Sequence, residues 1–416
     1  MKRRDQGSGI RDQVLGVVML LACSLVAQTE DPGRMVRAND LKGLSFKTLN
    51  GESILGAGNI EIPGAGEYKR WVNVRDYGAV GDGDTDDLEA FRLAKAEVEK
   101  SGKPLYLPKG TYFVSETLAL TAGMRLTGDL GATLRSPADA AVTVTGPDTV
   151  VENITVEATK GDAIRIDAAG FASVRGVTVK NAAENAIAVA RSTGVRIVGT
   201  QVDKAGAAGV LLGENCVGAV LRDGRVTSCA DGILFGAGAT GARIEGYQVE
   251  SCTRGISGYG WHGGAVNANT VIAGNAICAC TEHGVLLSGG ERLSFTGNVF
   301  RNFTGNAVPL EVVGKAEHPL RNAFIADNTF GTFLDAYANT RGAIVVSGAE
   351  KLTIRGNLLR PDTIKQKRIT GDGKVDIVVA NSKNVSVKAN VIEGAIDVST
   401  GNTDVVAEGN LKIPQS

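Results

Sequence analysis

The sequence predicts an all-β protein: a right-handed parallel β-helix solenoid of about 23 residues per coil with an N-terminal capping α-helix. Three observations predict it. Short apolar motifs recur every 23 residues from about residue 140. Within each motif, apolar residues alternate with period two, the mark of a strand. Aromatics supply only 5% of a chain that is 43% apolar, so the core must be built from Val, Ile, Leu and Ala. A chain of 416 residues would ordinarily suggest two or three globular domains, but a solenoid escapes that estimate because it grows along one axis.

The composition also excludes classes. Glycine is frequent, at 55 residues, but follows no triplet period, which rules out collagen. The 44 basic and 45 acidic residues nearly cancel, giving no electrostatic reason to expect nucleic acid.

At the N-terminus, Lys2, Arg3, Arg4 and Arg11 precede an apolar run from Val14 to Ala27. The run is too short to span a bilayer, which needs roughly 20 residues. It suits the apolar region of an export signal, with cleavage after Ala27. Leu20-Leu21-Ala22-Cys23 also looks like a lipoprotein box, whereas Asp5 and Asp12 weaken the signal reading, the alternative being a buried segment or a mis-called start. Residues 28–66 are polar and loop-rich, and residues 67–416 form the solenoid domain. Within the loop-rich part, residues 47–62 read as a hairpin turning at Asn50-Gly51. This stretch resembles a short segment of phage tail-fibre and tail-spike proteins.

The domain opens with Val74-Arg75-Asp76-Tyr77-Gly78-Ala79-Val80-Gly81-Asp82-Gly83-Asp84-Thr85-Asp86-Asp87. A helix is expected from about Asp86 to Lys100, capped by Thr85 or Asp86, with Phe91, Ala94 and Val98 on one face. Pro104 to Val114 then reads as strand, turn, strand. Residues 74–114 closely resemble the opening of the pectate-lyase-like right-handed parallel β-helix superfamily, of the phage tail-spike and rhamnogalacturonase-epimerase-like type. The resemblance implies a helix that covers the first coil, and a stacked core does need such a cover. It also implies extracellular or virion-tail polysaccharide lyases, hydrolases, epimerases or tail spikes, and for tail spikes a homotrimer within a phage tail assembly.

The repeat itself starts each unit at Asp162-Ala-Ile, Asn185-Ala-Ile, Ala208-Gly-Val, Asp231-Gly-Ile and Arg254-Gly-Ile. The columns Ile164, Ile187, Val210, Ile233, Ile256 and Ile166, Val189, Leu212, Phe235 are expected to point inward. A second strand gives Val174, Ile197, Val220 and Ile244, and a third gives Val179, Val202, Val226 and Val249. Like residues then stack roughly 4.8 Å apart along the axis. Asn275, Asn298, Asn328, Asn357, Asn390 and Asn410 suit a side-chain ladder with left-handed backbone. Cys229, Cys252 and Cys280 suit a stack of small apolar groups, the alternative being one disulfide.

Regularity fails at Gly258–Thr270, Val313–Arg321, Phe333–Arg341 and Pro361–Asp376. Insertions in a solenoid become loops, often on the binding side. They carry Tyr259, Trp261, His262 and Tyr337, the candidate substrate-binding residues, since flat rings stack on the apolar faces of sugars. An outward column of Asp167, Ala190, Gly213, Gly236, Tyr259, Ser288, Glu311 and Ser347 offers a shallow floor for an extended polymer. A neighbouring column holds Leu211, Leu234 and Leu286, which suggests coverage by a loop or a partner.

Hydrolysis needs two carboxyls about 5–5.5 Å or about 6.5–9.5 Å apart, gaps that neighbouring coils can supply. Glu311, Asp327 and Asp335 are the candidates. A lyase needs a base and cations, for which His318, Arg321, Lys315 and Tyr337 are available. No cofactor is identified. Ca2+ would enter only for a lyase, and Asp82-x-Asp84-x-Asp86 fails as a calcium loop because Asp87 and Leu93 stand where glycine and glutamate are required. Those aspartates read as turn and cap residues. The two readings left open are a polysaccharide-degrading enzyme and a non-catalytic fibre, adhesin or sugar-binding solenoid.

Overall fold

The computed structural model describes residues 70–259, 268–303, 307–315, 320–331, 342–359 and 375–413. The expected signal at 1–27 and hairpin at 47–62 lie outside the described residues. From Lys69 the chain forms one compact unit. Three long parallel sheets, of 15, 14 and 12 strands among the described residues, make the three walls of a right-handed parallel β-helix. Each coil visits them in a fixed order. Ser173–Arg175 lies on wall I, Thr178–Lys180 on wall II and Ile187–Ala190 on wall III. No helix among the described residues is long and apolar enough to cross a membrane.

The one α-helix among the described residues, Leu88–Ser101, buries Ala90, Phe91, Ala94 and Val98. Its face closes the first coil, where the Phe91 ring meets Tyr112 edge-on with centroids 5.9 Å apart. The cap is shared between two aspartates. Asp86 Oδ1 accepts from Leu88 N at 3.1 Å, and it also ties down Ser115. Asp87, at the N-cap position itself, instead accepts from Val80 N at 2.6 Å and Gly81 N at 3.1 Å, which fixes the preceding loop. Asp82 accepts from Asp84 N, Thr85 N and Thr85 Oγ1, so it is a turn residue.

Register confirms the inward columns. On wall III, Ile164 pairs with Ile187, then Val210, Ile233, Ile256, Val285, Leu310, Ile344 and Ile377, all buried. One assignment changes on wall I. Ile197 pairs with Leu221, which is fully buried, while Val220 lies beside it half-buried, so the one extra residue in this column falls between Ile197 and Leu221 and not between Val220 and Ile244.

The corner between walls I and II explains the asparagines. In every coil the corner residue has left-handed backbone, from Gly246, Gly274 and Gly297 through Asp327 and Gly356 to Ala389 and Gly409. The next residue points inward. Asn275, Asn298, Asn328, Asn357, Asn390 and Asn410 fill that place, so the left-handed position belongs to the residue before each Asn and not to the Asn. Each Nδ2 donates to the Oδ1 of the next at 2.9–3.0 Å. Each also donates to a wall carbonyl, such as Phe295 O for Asn328 at 2.9 Å. Each Oδ1 from Asn298 on further accepts the backbone N–H of the previous Asn. A buried amide with all these groups paired is tolerable where an unpaired one is not. The ladder starts at Tyr247, whose N–H donates to Asn275 Oδ1 and whose ring lies over Gly224, with its hydroxyl 3.0 Å from Thr200 Oγ1.

Cys216, Cys229, Cys252, Cys278 and Cys280 are free and buried, in keeping with a packing role. Burial pushes the Cys216 thiol up to about 11.

Candidate functional site

The breaks in regularity share one wall. Residues 304–306, 332–341 and 360–374 fall in the chain between a strand of wall II and the next strand of wall III. Residues 260–267 and 316–319 fall between wall III and the next strand of wall I. Each of these segments therefore adjoins a wall III strand in chain order.

Along this face one row of outward residues follows the register Ala208, Asp231, Arg254, His283, Val308. The adjoining row reads Ala188, Leu211, Leu234, Ser257, Leu286, Glu311, Val345 and Val378. Glu311 thus sits in the leucine row and not beside Ser288, whose true partner is Val313. The cause is local. Seven positions separate Arg301 from Val308, against five from Cys278 to His283, so the turn from wall II to wall III is two residues longer.

Polar groups in and beside these two rows form two hydrogen-bonded sets across four successive coils, one around Arg254 and one between His283 and Glu311. Asp231, 8% exposed at its side chain, accepts from Arg254 Nε at 2.6 Å, Arg254 Nη2 at 2.9 Å and Ser257 Oγ at 2.6 Å. The bidentate pairing holds the guanidinium plane. Arg254 Nη1 reaches on to Glu282 Oε2 at 3.1 Å, and that carboxylate remains 53% exposed. In the same coil His283 Nε2 lies 2.8 Å from Glu311 Oε2, whose side chain is 9% exposed. When Glu311 is ionised it only accepts, and Nε2 then carries the proton of the neutral ring. Nδ1 then is a bare acceptor, and among the described residues it has no hydrogen-bond partner. Two carboxylates, Asp231 and Glu282, face the Arg254 guanidinium, and Glu311 faces His283. Among the described residues no group of three or more ligands is placed to hold a metal ion.

Of the sequence-derived candidates, Glu311 belongs to the second of these sets, and Tyr259 ends the wall III strand Arg254–Tyr259, in register with Ser288. Two others lie elsewhere. Asp327 is exposed at the corner between walls I and II, the one corner that does not border wall III, in the left-handed position that glycine fills in neighbouring coils. Arg321 lies on wall I, exposed, with Nε 3.0 Å from Glu350 Oε2, and Lys383 Nζ holds the other oxygen at 3.1 Å. The structure brings neither to Glu311, because closeness in sequence spans different walls of one coil. Lys315 follows the strand Val308–Val313 at the wall III edge. Trp261, His262, His318, Asp335 and Tyr337 lie outside the described residues.

Sequence reasoning missed Ser257, Glu282 and His283 and took Asp231 and Arg254 only as markers of coil starts. A signal was present: these starts change from Asn185 and Ala208 to Asp231, Arg254 and His283 just where the insertions begin.

Comparison with known proteins agrees with this architecture. The family model described as rhamnogalacturonase A/epimerase, pectate lyase-like matches residues 71–285. The pre-neck appendage protein of Bacillus phage B103 is 47% identical over 57 residues, 14% of this chain and 6% of that protein. The chain therefore spans only a small part of this curated relative. Among solved structures, the family 28 exopolygalacturonase of Yersinia enterocolitica superposes with a TM-score of 0.58 at 15% identity, covering 83% of this chain and 79% of that one. The Dettilon tailspike protein superposes with a TM-score of 0.52 at 16% identity, covering 82% and 69%. Identities this low speak for the fold alone. The family match extends over more than half of the sequence, and the chain belongs to the rhamnogalacturonase A/epimerase, pectate lyase-like family.

Proposed function

We propose that this protein binds a polysaccharide along the outer face of wall III and hydrolyses it, with Glu311 as an acid–base group held by His283. The observation that carries the reading is the Glu311–His283 pair itself. A carboxylate nine-tenths buried in a row of Ala, Leu and Val is costly to desolvate, and nothing in the stacking of the coils requires it. It stands on the wall whose strands the irregular segments adjoin in chain order. Hydrolysis is favoured over elimination because a lyase needs a cation for the uronate, and Arg254 is already engaged by Asp231 and Glu282. The segment shared with a phage appendage protein and the tailspike-like fold support a virion-tail setting, with copies of this chain in a homotrimer and a tail assembly as partners.

The test is to incubate the full-length protein with neutral and acidic bacterial and plant polysaccharides, following reducing ends and ultraviolet absorbance together. Reducing ends without a rise in absorbance are expected. A rise in absorbance would show the unsaturated product of elimination and contradict hydrolysis. Silence across the panel from folded protein would leave the binding fibre as the function.

A further inference from the structure

We infer that Glu282 is the second catalytic carboxylate of this site, and that Arg254, Asp231 and Ser257 are positioning residues that aim it. The inference rests on the hydrolytic reading of wall III.

Four side chains from three successive coils form a continuous chain of hydrogen bonds. Ser257 Oγ donates to Asp231 Oδ1 at 2.6 Å, Arg254 grips both Asp231 oxygens at 2.6 and 2.9 Å, and its remaining nitrogen reaches Glu282 Oε2 at 3.1 Å. The chain runs from the inside outwards. Ser257 is fully buried, Asp231 and Arg254 are 8% and 21% exposed at their side chains, and Glu282 is 53% exposed. An exposed ion pair alone contributes little, because two long side chains must be ordered in water. Here the ordering is done beforehand, since the buried aspartate fixes the guanidinium plane before Glu282 meets it. The serine adds a hydrogen-bond donor as well. Ser257 replaces a leucine in the row between Leu234 and Leu286, so that a hydroxyl meets Asp231 where an apolar side chain could not.

Glu282 is also adjacent in sequence to His283, which reaches Glu311 in the next coil. Two carboxylates with opposite access to water thus flank one stretch of wall III. Glu282, open to solvent, takes the proton from a water molecule as its oxygen bonds to the anomeric carbon. Glu311, buried against His283 and protonated before this step, gives that proton to the departing glycosidic oxygen as the old carbon–oxygen bond breaks. One water is consumed, and one proton is taken up as another is released. Placement in neighbouring coils and in different rows suits the wider carboxyl gap of about 6.5–9.5 Å, which leaves space for that water and inverts the anomeric centre.

The experiment uses full-length wild type, Glu282→Gln, Arg254→Lys and Glu311→Gln, first on neutral bacterial and plant polysaccharides and then on whichever the wild type cleaves. Glu282→Gln is expected to lower kcat at least 100-fold with KM little changed, and to remove one limb of the pH–rate profile. Arg254→Lys keeps the charge but not the fork, and is expected to lower kcat about 10-fold while leaving thermal unfolding close to wild type. The first product, followed by NMR, is expected to carry the inverted anomer. An active Glu282→Gln beside an inactive Glu311→Gln, or a retained anomer, would overturn this inference and leave the hydrolytic reading standing. A folded wild type that cleaves nothing would overturn both.

Discussion

Replacing Glu311 by Gln is expected to cost the protein about 10²–10⁴ in kcat, the range that one positioned acid–base group supplies. The amide keeps the volume of the carboxyl and can still bond His283 Nε2, so the loss should come without unfolding. Stability should hold or rise slightly, because a buried charge is replaced by a neutral group. KM should change little, since the sugar chain would still lie along the same face. Asp327→Asn is the natural companion. Asp327 is exposed in a left-handed corner away from wall III, and Asn adopts that conformation readily, so its activity should match wild type. Kinetics on one cleaved polysaccharide checks both. Full activity in Glu311→Gln would remove the catalytic assignment, and a dead Asp327→Asn would move the site to another wall.

The second large effect concerns the ladder. Asn328→Leu should destabilise the solenoid by about 3 kcal/mol or more, because each buried polar group left unpaired costs about 1–3 kcal/mol. The substitution strips the acceptor from Asn298 Nδ2 and from Asn298 N, at 2.9 and 3.0 Å, and the donor from Phe295 O and Asn357 Oδ1. Asn410→Leu, at the last, partly exposed rung, takes away only one neighbour and leaves groups that water can reach, so it should cost far less. Urea unfolding of the two variants measures the difference. Equal and small losses would mean that the asparagines are spacers and that backbone pairing alone holds the corner.

The parts of the fold that were legible in the sequence are those set by repetition. Ile164 and its successors announce their wall because a buried column tolerates only apolar side chains at a fixed spacing, and the Asn ladder announces itself in the same way. The site was less legible because it occupies the coils where spacing fails. Glu311 was found as an outward carboxylate but assigned to the row of Ser288, since two extra residues in one turn shift the count without leaving a mark in the alternation pattern. Asp327 was grouped with it through proximity in sequence, although a coil of three walls turns neighbours to different sides. His283 and Glu282 went unseen because coil starts are often polar in this chain, and only the register shows that Asp231, Arg254 and His283 stand on successive rungs.

The most direct test of the central claim is hydrogen–deuterium exchange of Glu311→Gln, with and without a polysaccharide that the wild type cleaves. The account predicts added protection in the wall III strands Arg254–Tyr259, His283–Ser288 and Val308–Val313, and none in the wall I strands Leu320–Ala326 and Ala349–Arg355. Protection on wall I, with wall III unchanged, would contradict it.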